Sequence, residues 1–537
     1  MSDQCDETLH ETAAGDFQAH IGAIVSGGLT CLSIGLGVET GLFDVLFSLG
    51  QPKTCQEIAE AGKYKERYVK AWLDEMAAAQ IVSFDASAGT YWIPEDHWPA
   101  LKKGDKFSKA VLSTLSIPML SEAFCSVKEC FKLGGPAGVP PEQYSHFDRY
   151  LSDKNSVWFN HYMLQSFMPS IPGLVHKLEE GICVLDVACG AGEATIAMAK
   201  QFSKSQFYAF DICESAVRTA QAKVRTERLT NAHMVCQDAS CLPSDWSGKF
   251  QYIISRSGIH DLPFPRAGLA ELHRVLSDDG VASILEPECH SSLAANLDVA
   301  WAGKLYAFSL MNCLPVSLSC EGSEGLGAAW GREAATAMLQ ECGFRIVSVS
   351  DVLGDITMHF YCQKKEAKLV LFEASSDSSD PSEDAGPTKA EAFASVIADK
   401  GGGGLPSLAL AVGRDVGLLD VMIARGQPMS CQEIAEAGKF KERYVREWLG
   451  AMVTSRIVCM DTSHELYWIP KHHVPSLQRS GVGSDPCSIP ALSESFYRLV
   501  QCFKLDGPQG VSLDKHSQLS KYTCNDHSIW SVFQSAS

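Results

Sequence analysis

An internal repeat is the feature that most constrains how this chain of 537 residues can fold. Residues 51–82 and 427–458 are identical at 21 of 32 positions, with a constant offset of 376. Further matches join 91–94 to 467–470 at the same offset and, at an offset of 372, 130–133 to 502–505 and 156–158 to 528–530. No second version of the stretch between the copies follows, so the repeat predicts two front modules around one middle module.

The repeated module has the pattern of a winged helix. Thr54 and Glu57 are spaced as a capping box that opens a short helix, and Gly62 marks its end. An apolar stripe at helical spacing follows, formed by Tyr68, Trp72, Leu73 and Met76. Two β-rich runs around a glycine turn, 81–84 and 90–93, then predict a hairpin.

A winged helix can read DNA or pair subunits, and charge separates the two roles. A helix that enters the major groove should be basic, but residues 51–80 carry five Lys or Arg and five Asp or Glu. The whole chain has a net charge of -19, which also disfavours nucleic acid. We therefore expect no nucleic-acid partner, and the module should pair with another module, as a homodimer or an intramolecular pseudo-dimer, or pack over a substrate site.

An uncharged stretch near the start of the chain could in principle cross a membrane. Residues 21–38 are uncharged and long enough to span a bilayer, but the equivalent stretch of the repeat contains Asp399, Lys400 and Pro406. A buried interface helix is the better interpretation, and no membrane partner is expected. The N-terminal residues lack a leader pattern, and the 20 cysteines form no CxxC pair, so we predict a cytoplasmic protein with reduced thiols.

Beyond residue 182 the pattern changes to strands that alternate with helices, which predicts a parallel sheet with helices on both faces. Its five predicted parallel strands are 183–187, 206–210, 232–236, 250–255 and 281–285. The last two predicted strands, 346–352 and 356–363, are too close for a crossover helix and should be antiparallel.

The most informative segment of the middle module is the turn after its first strand. Small residues from Ala188 to Gly192 allow a ligand to approach the backbone closely. Asp211 ends the next strand, 25 residues after Asp186, and can accept both hydroxyls of a ribose. A dinucleotide site would use a similar geometry but needs G-x-G-x-x-G, and the third position here is Thr195.

Residues 180–365 resemble the class I S-adenosylmethionine-dependent methyltransferases, through DVACGAG, YAFD and CQDAS. The resemblance implies S-adenosylmethionine as cofactor, with Asp211 on the ribose and Asp238 at the adenine edge. Ala188 replaces the family's usual first glycine. In the alternative, Asp211 and Asp238 only cap the helices after their strands. The implied cofactor-binding residues are Asp186, Ala188, Gly190, Gly192, Asp211, Ile212, Asp238, Ala239 and Arg256.

A candidate base follows the fourth strand at His260, and Glu286 ends the fifth strand. Small-molecule O-methyltransferases, which also carry an N-terminal winged helix, have a His-Asp pair there, and their His removes the acceptor proton. The resemblance therefore implies catalytic roles for His260 and, as the group that orients its ring, Glu286. In the alternative, His260 binds backbone locally and Asp261 caps the helix that begins near Pro265.

Residues 289–330 form an insertion rich in aromatic and sulfur side chains, which indicates either an apolar acceptor pocket or a helix packed under the first module. Its Cys313, with Cys289 and Cys320, could hold a soft metal, but only the softness of thiolates supports this, and we expect no metal.

The fold class is therefore α/β, a Rossmann-like class I methyltransferase sheet of seven strands with the last pair antiparallel, plus two mainly α winged-helix modules. Residues 15–365 together resemble a bacterial and animal group that joins a winged helix to such a domain. The predicted domains are a winged helix at 15–104, a helical linker region at 105–178, the methyltransferase domain at 179–365, an acidic flexible linker at 366–390 and a second, truncated copy at 391–537.

The sequence predicts an enzyme that methylates a small-molecule acceptor on oxygen or nitrogen. A regulatory protein that senses S-adenosylmethionine, or a scaffold built on the winged helices, is the alternative. The second copy could mimic a dimer partner, bind a regulator or be an incomplete gene copy.

Overall fold

A computed structural model describes residues 2–353, 355–367, 387–478 and 485–512. These residues form two compact units. The winged-helix unit is drawn from 1–136, 306–311 and 387–537, and the sheet unit from 137–305 and 312–386. Most of the predicted linker at 366–390 lies outside the described residues, as does the repeat match at 528–530.

The winged-helix unit contains two versions of the same series of helices. In the first copy the helices are Ser2–Thr40, Leu42–Leu49, Cys55–Gly62, Glu66–Ala78, Trp98–Leu101, Lys109–Ser113, Ser116–Ser121 and Phe124–Phe131. In the second they are Lys389–Val416, Leu418–Arg425, Cys431–Gly438, Glu442–Thr454, Val474–Leu477, Ser488–Ser493 and Phe496–Cys502. The predicted hairpin is present in both, as Ser83–Asp85 with Thr90–Trp92 and as Cys459–Asp461 with Leu466–Trp468.

Local sequence signals start these helices where predicted. The Thr54 hydroxyl accepts the backbone N–H of Glu57, whose carboxylate accepts the N–H of Thr54 in return. Ser430 and Glu433 repeat the arrangement. In the next helix the indole of Trp72 is buried and donates to the carbonyl of Ser33. The capping box and the apolar stripe are therefore both confirmed.

The long helices Ser2–Thr40 and Lys389–Val416 pack together through small residues. A Cβ added at Gly28 would lie 2.9 Å from the Ser407 hydroxyl, and one added at Gly27 would lie 3.2 Å from the carbonyl oxygen of Lys400. Thr12–Thr40 is the one described helix that is long and apolar enough for a bilayer, and 56% of its apolar window is buried. Part of its apolar surface is therefore buried against an equivalent helix of the second copy.

The two copies face each other around an approximate two-fold axis, because several contacts recur with the partners exchanged. The ring of Phe17 stacks on His473 and that of Phe393 stacks on His97, both with centroids 3.5 Å apart. Both pairs obey the offset of 376. A contact surface that pairs with its own equivalent is the mark of a two-fold dimer, here contained in one chain.

Backbone hydrogen bonds follow the same two-fold relation. The N–H of Lys65 donates to the carbonyl of Phe503, and the N–H of Lys441 donates to that of Phe131, each at 2.8 Å. The Lys65 ammonium also donates to the carbonyl of Gly507, and that of Lys441 to the carbonyl of Gly135, each at 2.8 Å. Equivalent lysines thus join the copies from both sides.

The sheet unit contains seven strands in the spatial order β3-β2-β1-β4-β5-β7-β6. Their bounds are β1 Cys183–Val187, β2 Gln206–Asp211, β3 Ala232–Cys236, β4 Phe250–Arg256, β5 Leu276–Pro287, β6 Phe344–Asp351 and β7 Thr357–Lys364. β1 to β5 are parallel, whereas β7 runs antiparallel to both β5 and β6. The predicted Rossmann-like sheet is confirmed, although β5 begins earlier than the predicted run at 281.

Helices cover both faces of this sheet. They are Phe147–Trp158, Leu174–Glu180, Glu193–Gln201, Glu214–Thr226, Pro265–Val275 and Gly331–Glu341. Successive residues of a strand point to opposite faces, and accordingly Val184 and Leu185 belong to different apolar clusters. A further helix, Ala302–Phe308, continues through a π-helical turn at Ser309–Cys313 into Leu314–Ser317. Its central residues, 306–311, belong to the winged-helix unit.

Candidate active site

The sheet reverses its strand order between β1 and β4, and the carboxyl ends of these neighbours form the candidate site. Ligands of open α/β sheets bind at such a switch point. The loops after the two strands touch, since a Cβ added at Gly258 would lie 2.8 Å from the Cβ of Ala188. The glycine loop and the His260 loop are therefore adjacent, as the sequence required.

The backbone of both loops is strained at residues with a side chain. Ala188 and Ser257 each have φ of 54°, a left-handed conformation that glycine adopts more readily. Gly190 has φ of 53° and Gly192 has φ of 79°, and a Cβ at Gly190 would meet nothing within 4 Å. The positive φ at position 188 explains why the family usually has glycine there. Strain of this kind is concentrated at functional sites.

Asp211 lies at the end of β2 and reaches the glycine loop. Its carboxylate accepts the N–H of Gly190 at 2.9 Å and that of Cys213 at 2.8 Å. Burial raises the pKa of Asp211, while these two N–H groups lower it. The bond to Gly190 joins the two segments predicted to hold the cofactor, and the bond to Cys213 is the turn-capping contact of the alternative.

Asp186 is buried at the end of β1. Its carboxylate accepts the hydroxyl of Thr195 at 2.5 Å, which joins the strand to the following helix. Burial raises the pKa of Asp186 to about 7, because a charged carboxylate is poorly solvated there. A cationic ligand placed near this group would favour its ionised form.

The remaining predicted cofactor residues differ in their surroundings. Asp238 accepts the N–H and the hydroxyl of Ser240, so it too makes a local turn contact. Ala239 is buried, whereas Ile212 is 59% exposed although it is a large apolar residue. An exposed isoleucine beside Asp211 is available to cover a ligand. The cofactor-binding roles of these three residues stay predictions.

Arg256, at the end of β4, makes contacts that the sequence did not indicate. Its guanidinium donates to the side-chain amide oxygen of Asn155 at 2.7 Å and pairs with the buried carboxylate of Asp355. It also lies over the ring of Trp158, with 5.1 Å between the guanidinium carbon and the ring centroid. This network fixes the Arg256 side chain within the protein, and a role in cofactor binding stays a prediction.

His260 is 3% exposed, and Glu286, which is fully buried, fixes its ring. Nδ1 of His260 lies 2.5 Å from one carboxylate oxygen of Glu286, which also accepts the Trp330 indole N–H at 3.3 Å. The other oxygen accepts the N–H of Ile259 at 3.0 Å. Because a carboxylate only accepts, Nδ1 carries the proton, and Nε2 is left to face the site.

Two side chains approach the other side of the His260 ring. Asp261 has a carboxylate oxygen 3.4 Å from Nε2, and the Cys313 thiol lies close to both. Burial lowers the pKa of His260, but the carboxylates of Asp261 and Glu286 outweigh it and hold the pKa well above its ordinary value. His260 is thus a stronger base than a free imidazole, but it must lose its own proton first.

The structure contradicts one of the two interpretations of the His260 loop, the local one, and a catalytic role for His260 stays a prediction. His260 contacts the Glu286 carboxylate rather than local backbone, and no side chain caps the helix that begins at Pro265. The local-capping alternative is therefore wrong for Asp261. The predicted orientation of the imidazole by Glu286 has the required geometry.

The soft-metal trio considered from the sequence does not assemble. The group of described residues that could hold a metal ion is His260, Asp261 and Cys313, with neither Cys289 nor Cys320 in it. Burial raises the pKa of the Cys313 thiol to about 12, so the thiolate that a metal needs is disfavoured.

Sequence reasoning missed Asp355, and it did not predict the contacts of Asp261, Cys313 and Trp330 with His260 and Glu286. Only Asp261 had a local signal, since it adjoins His260. The other three lie between 44 and 99 residues from their partners, and no periodic pattern marks them.

Two family matches agree with this geometry. Residues 28–103 and 404–479 match the Rv2258c-like winged HTH domain, and residues 178–323 match a methyltransferase domain. The chain thus carries two winged-helix domains and one methyltransferase domain. The predicted resemblance is confirmed, and the methyltransferase family uses S-adenosylmethionine as its cofactor.

Curated relatives match this domain over part of their length. Demethylmenaquinone methyltransferase of Staphylococcus epidermidis is 31% identical over 147 residues, which are 27% of this chain and 56% of that enzyme. The enzyme of the same name from Staphylococcus carnosus is 27% identical over 36% of this chain and 80% of its own length. The chain therefore spans only about half the length of the first of these relatives.

Two solved structures are similar to this chain at low identity. Mitomycin 7-O-methyltransferase MmcR is 13% identical, with a TM-score of 0.46, over 68% of this chain and 98% of its own. Human N-acetylserotonin methyltransferase is 16% identical, with a TM-score of 0.47, over 63% of this chain and 94% of its own.

Proposed function

We propose that this protein transfers a methyl group from S-adenosylmethionine to the oxygen or nitrogen of a small apolar acceptor. The observation that carries the proposal is His260, a buried imidazole oriented by Glu286 at the carboxyl end of β4. It adjoins the glycine loop after β1. A base beside a cofactor loop is the arrangement that methylation of a hydroxyl needs.

The residues of the first loop fit the cofactor. Gly190 leaves open space where a side chain would stand, and the positive φ of the loop turns its backbone toward a ligand. The Asp211 carboxylate would hold the ribose hydroxyls, and Asp186 would balance a positive charge nearby. When bound, S-adenosylmethionine supplies a methyl group already activated on a sulfonium, so the protein needs mainly to position the acceptor.

His260 would handle the acceptor proton. With Nδ1–H donated to Glu286, Nε2 can accept the proton of an acceptor hydroxyl as that oxygen takes the methyl group. The imidazolium that forms is stabilised by Glu286 on one side and Asp261 on the other. The same carboxylates that stabilise it raise the pKa of His260, so transfer should require pH high enough to free Nε2.

Two features support an apolar, aromatic acceptor. The Trp330 ring, which is 6% exposed, donates to the carboxylate of Glu286 that orients His260 and so places an aromatic surface beside the base. The curated relatives are named for demethylmenaquinone, a molecule built on a naphthoquinone ring. A hydroxylated aromatic ring is therefore the acceptor class to test first.

The experiment is transfer of radiolabelled methyl from S-adenosylmethionine to 1,4-naphthohydroquinone and a panel of simpler phenols. Labelled product that disappears with His260→Ala supports the proposal. Tight binding of S-adenosylmethionine with no product from any acceptor would favour a sensor or scaffold, the alternative function that the two winged-helix domains keep open. We also expect weak, salt-insensitive retention on heparin, since we propose no nucleic-acid partner.

We further propose that pairing of the two winged-helix copies takes the place of a homodimer. The exchanged pairs Phe17–His473 and His97–Phe393 occupy the pairing surface of both copies within one chain. A covalent connection keeps the copies at a high effective concentration. Light scattering should therefore find a monomer at micromolar concentration.

A further inference from the structure

The equivalent helices Glu66–Ala78 and Glu442–Thr454 differ on one face, although their sequences align without a gap. Along the first helix, the positions that do not face the core are exposed. Along the second, three of the equivalent positions are buried. The pairs that change from exposed to buried are Ala71 and Glu447, Asp74 and Gly450, and Glu75 and Ala451.

The residue that covers the second helix is Tyr306. A Cβ added at Gly450 would lie 2.5 to 2.8 Å from three atoms of the Tyr306 ring, so this ring rests directly on the helix backbone. Tyr306 is 6% exposed, and Ala307 and Leu310 of the same segment are fully buried. Only glycine at position 450 leaves room for the ring.

The first copy cannot form this contact. Its equivalent residue is Asp74, whose side chain is 51% exposed and binds Lys70 and the hydroxyl of Tyr91. A groove of about 610 Å³ lies beside Asp74 on this face, so the surface is open rather than covered. The Asp74 carboxylate occupies the position on the first copy that the Tyr306 ring occupies on the second.

The covered segment continues directly into the candidate active site. Residues 306–311 belong to the winged-helix unit, and Asn312 and Cys313 follow in the same helical run. Cys313 is buried beside His260 and Asp261. What fixes Tyr306 therefore also restricts where Cys313 can lie, through the covalent chain alone.

We propose that the second winged-helix copy is a built-in partner that seats the segment 306–311 through Gly450, and that this seating restrains the residues that follow it along the chain as far as Cys313. The two copies have diverged for this purpose, since Asp74 makes the first copy unable to do the same. Any consequence for the acceptor rests on the proposed function, because it assumes that Cys313 lines the acceptor space. The seating itself does not depend on that assumption.

The test exchanges the two residues that differ. Gly450→Asp should displace Tyr306, so that amide hydrogen exchange in peptides covering 302–313 becomes about tenfold faster. Alkylation of Cys313 by N-ethylmaleimide, followed by peptide mass spectrometry, should accelerate as well. The matched control Asp74→Gly should change neither rate. Unchanged exchange and alkylation in folded Gly450→Asp would overturn the proposal.

A second pair of variants protects the test against a general loss of folding. Gly450→Ala should loosen 302–313 in the native background but not in Tyr306→Ala, where the ring is absent. Equal effects in both backgrounds would refute the contact. Calorimetric affinity for S-adenosylmethionine should stay the same in Gly450→Ala. If neither the native protein nor Gly450→Ala bound S-adenosylmethionine, that result would count against the proposed function. The exchange result for the contact between Tyr306 and Gly450 would still stand.

Discussion

The winged-helix copies and the methyltransferase domain use their residues in opposite ways. In the copies, most contacts occur twice, with Lys65 and Lys441 in equivalent roles on the two sides. In the domain each contact occurs once, and His260, Glu286 and Asp211 have no counterpart. Equivalent positions of the two copies should therefore contribute similarly to stability. The candidate catalytic and cofactor-binding residues occur once, so no second copy can replace them. The exception inside the copies, Gly450 against Asp74, is where the pair has specialised.

The largest effect should come from the shared core, where the copies ought to behave alike. Trp72 and Trp448 are both buried, and their indoles donate to Ser33 and Ala409 at equivalent places. Trp72→Ala and Trp448→Ala should each lower the free energy of unfolding by roughly 3–5 kcal/mol, through lost burial and the cavity left behind. Urea unfolding measures both. If one of the two substitutions left the free energy of unfolding unchanged, the two copies would not be equivalent in stability.

The candidate base should show the opposite behaviour, because nothing replaces it. His260→Ala should lower kcat by about 10²–10⁴-fold, the usual contribution of a positioned base, with little change in affinity for S-adenosylmethionine. In the native protein kcat/KM should rise with pH through an apparent pKa above the ordinary value of 6.5, since two carboxylates favour the imidazolium. Rates are measured from pH 5.5 to 10.

Glu286→Gln sharpens the pH test. Removing one of the carboxylates that raise the pKa of His260 should shift the rising limb to lower pH, while also lowering the maximum rate because the ring is less well oriented. If the rise of kcat/KM with pH occurred at the same pH in Glu286→Gln, or remained in His260→Ala, the titrating group would be a residue other than His260.

These site predictions depend on contacts that only partly follow from the sequence. The strands Cys183–Val187 and Ala232–Cys236 were predicted to the residue, because short apolar runs between turn residues define them locally. The contact of Trp330 with Glu286 was not predictable, since pairing across 44 residues leaves no periodic trace. The alignment of the repeats shows that Asp74 and Gly450 are equivalent positions. Only the structure shows that the Tyr306 ring contacts Gly450.

A smaller and symmetric effect is expected where the copies meet. Lys65→Met and Lys441→Met each remove an ammonium that donates to backbone carbonyls of the other copy. Each should lower the free energy of unfolding by roughly 1–3 kcal/mol, and by similar amounts, because those carbonyls lose a charged donor. Thermal and urea unfolding compare them. A large effect on one side only would show that the interface is not two-fold.

The smallest effect concerns strain in the single-copy domain. Ala188→Gly should raise the free energy of unfolding by about 1 kcal/mol, because glycine adopts a positive φ without the clash of a Cβ. Gly258→Ala should be destabilising in the native background and less so in Ala188→Gly, since the two Cβ atoms would lie 2.8 Å apart. Additive effects would mean that the two loops do not touch.

The central claim is that one chain, with two winged-helix copies, has a single cofactor site after β1. Calorimetric titration of the whole protein with S-adenosylmethionine, alongside Asp211→Ala, tests it most directly. The account predicts one site per chain and an affinity at least about tenfold weaker in the variant, equivalent to ~1.4 kcal/mol. Absence of binding to well-folded native protein, or binding unaffected by Asp211→Ala, would contradict it.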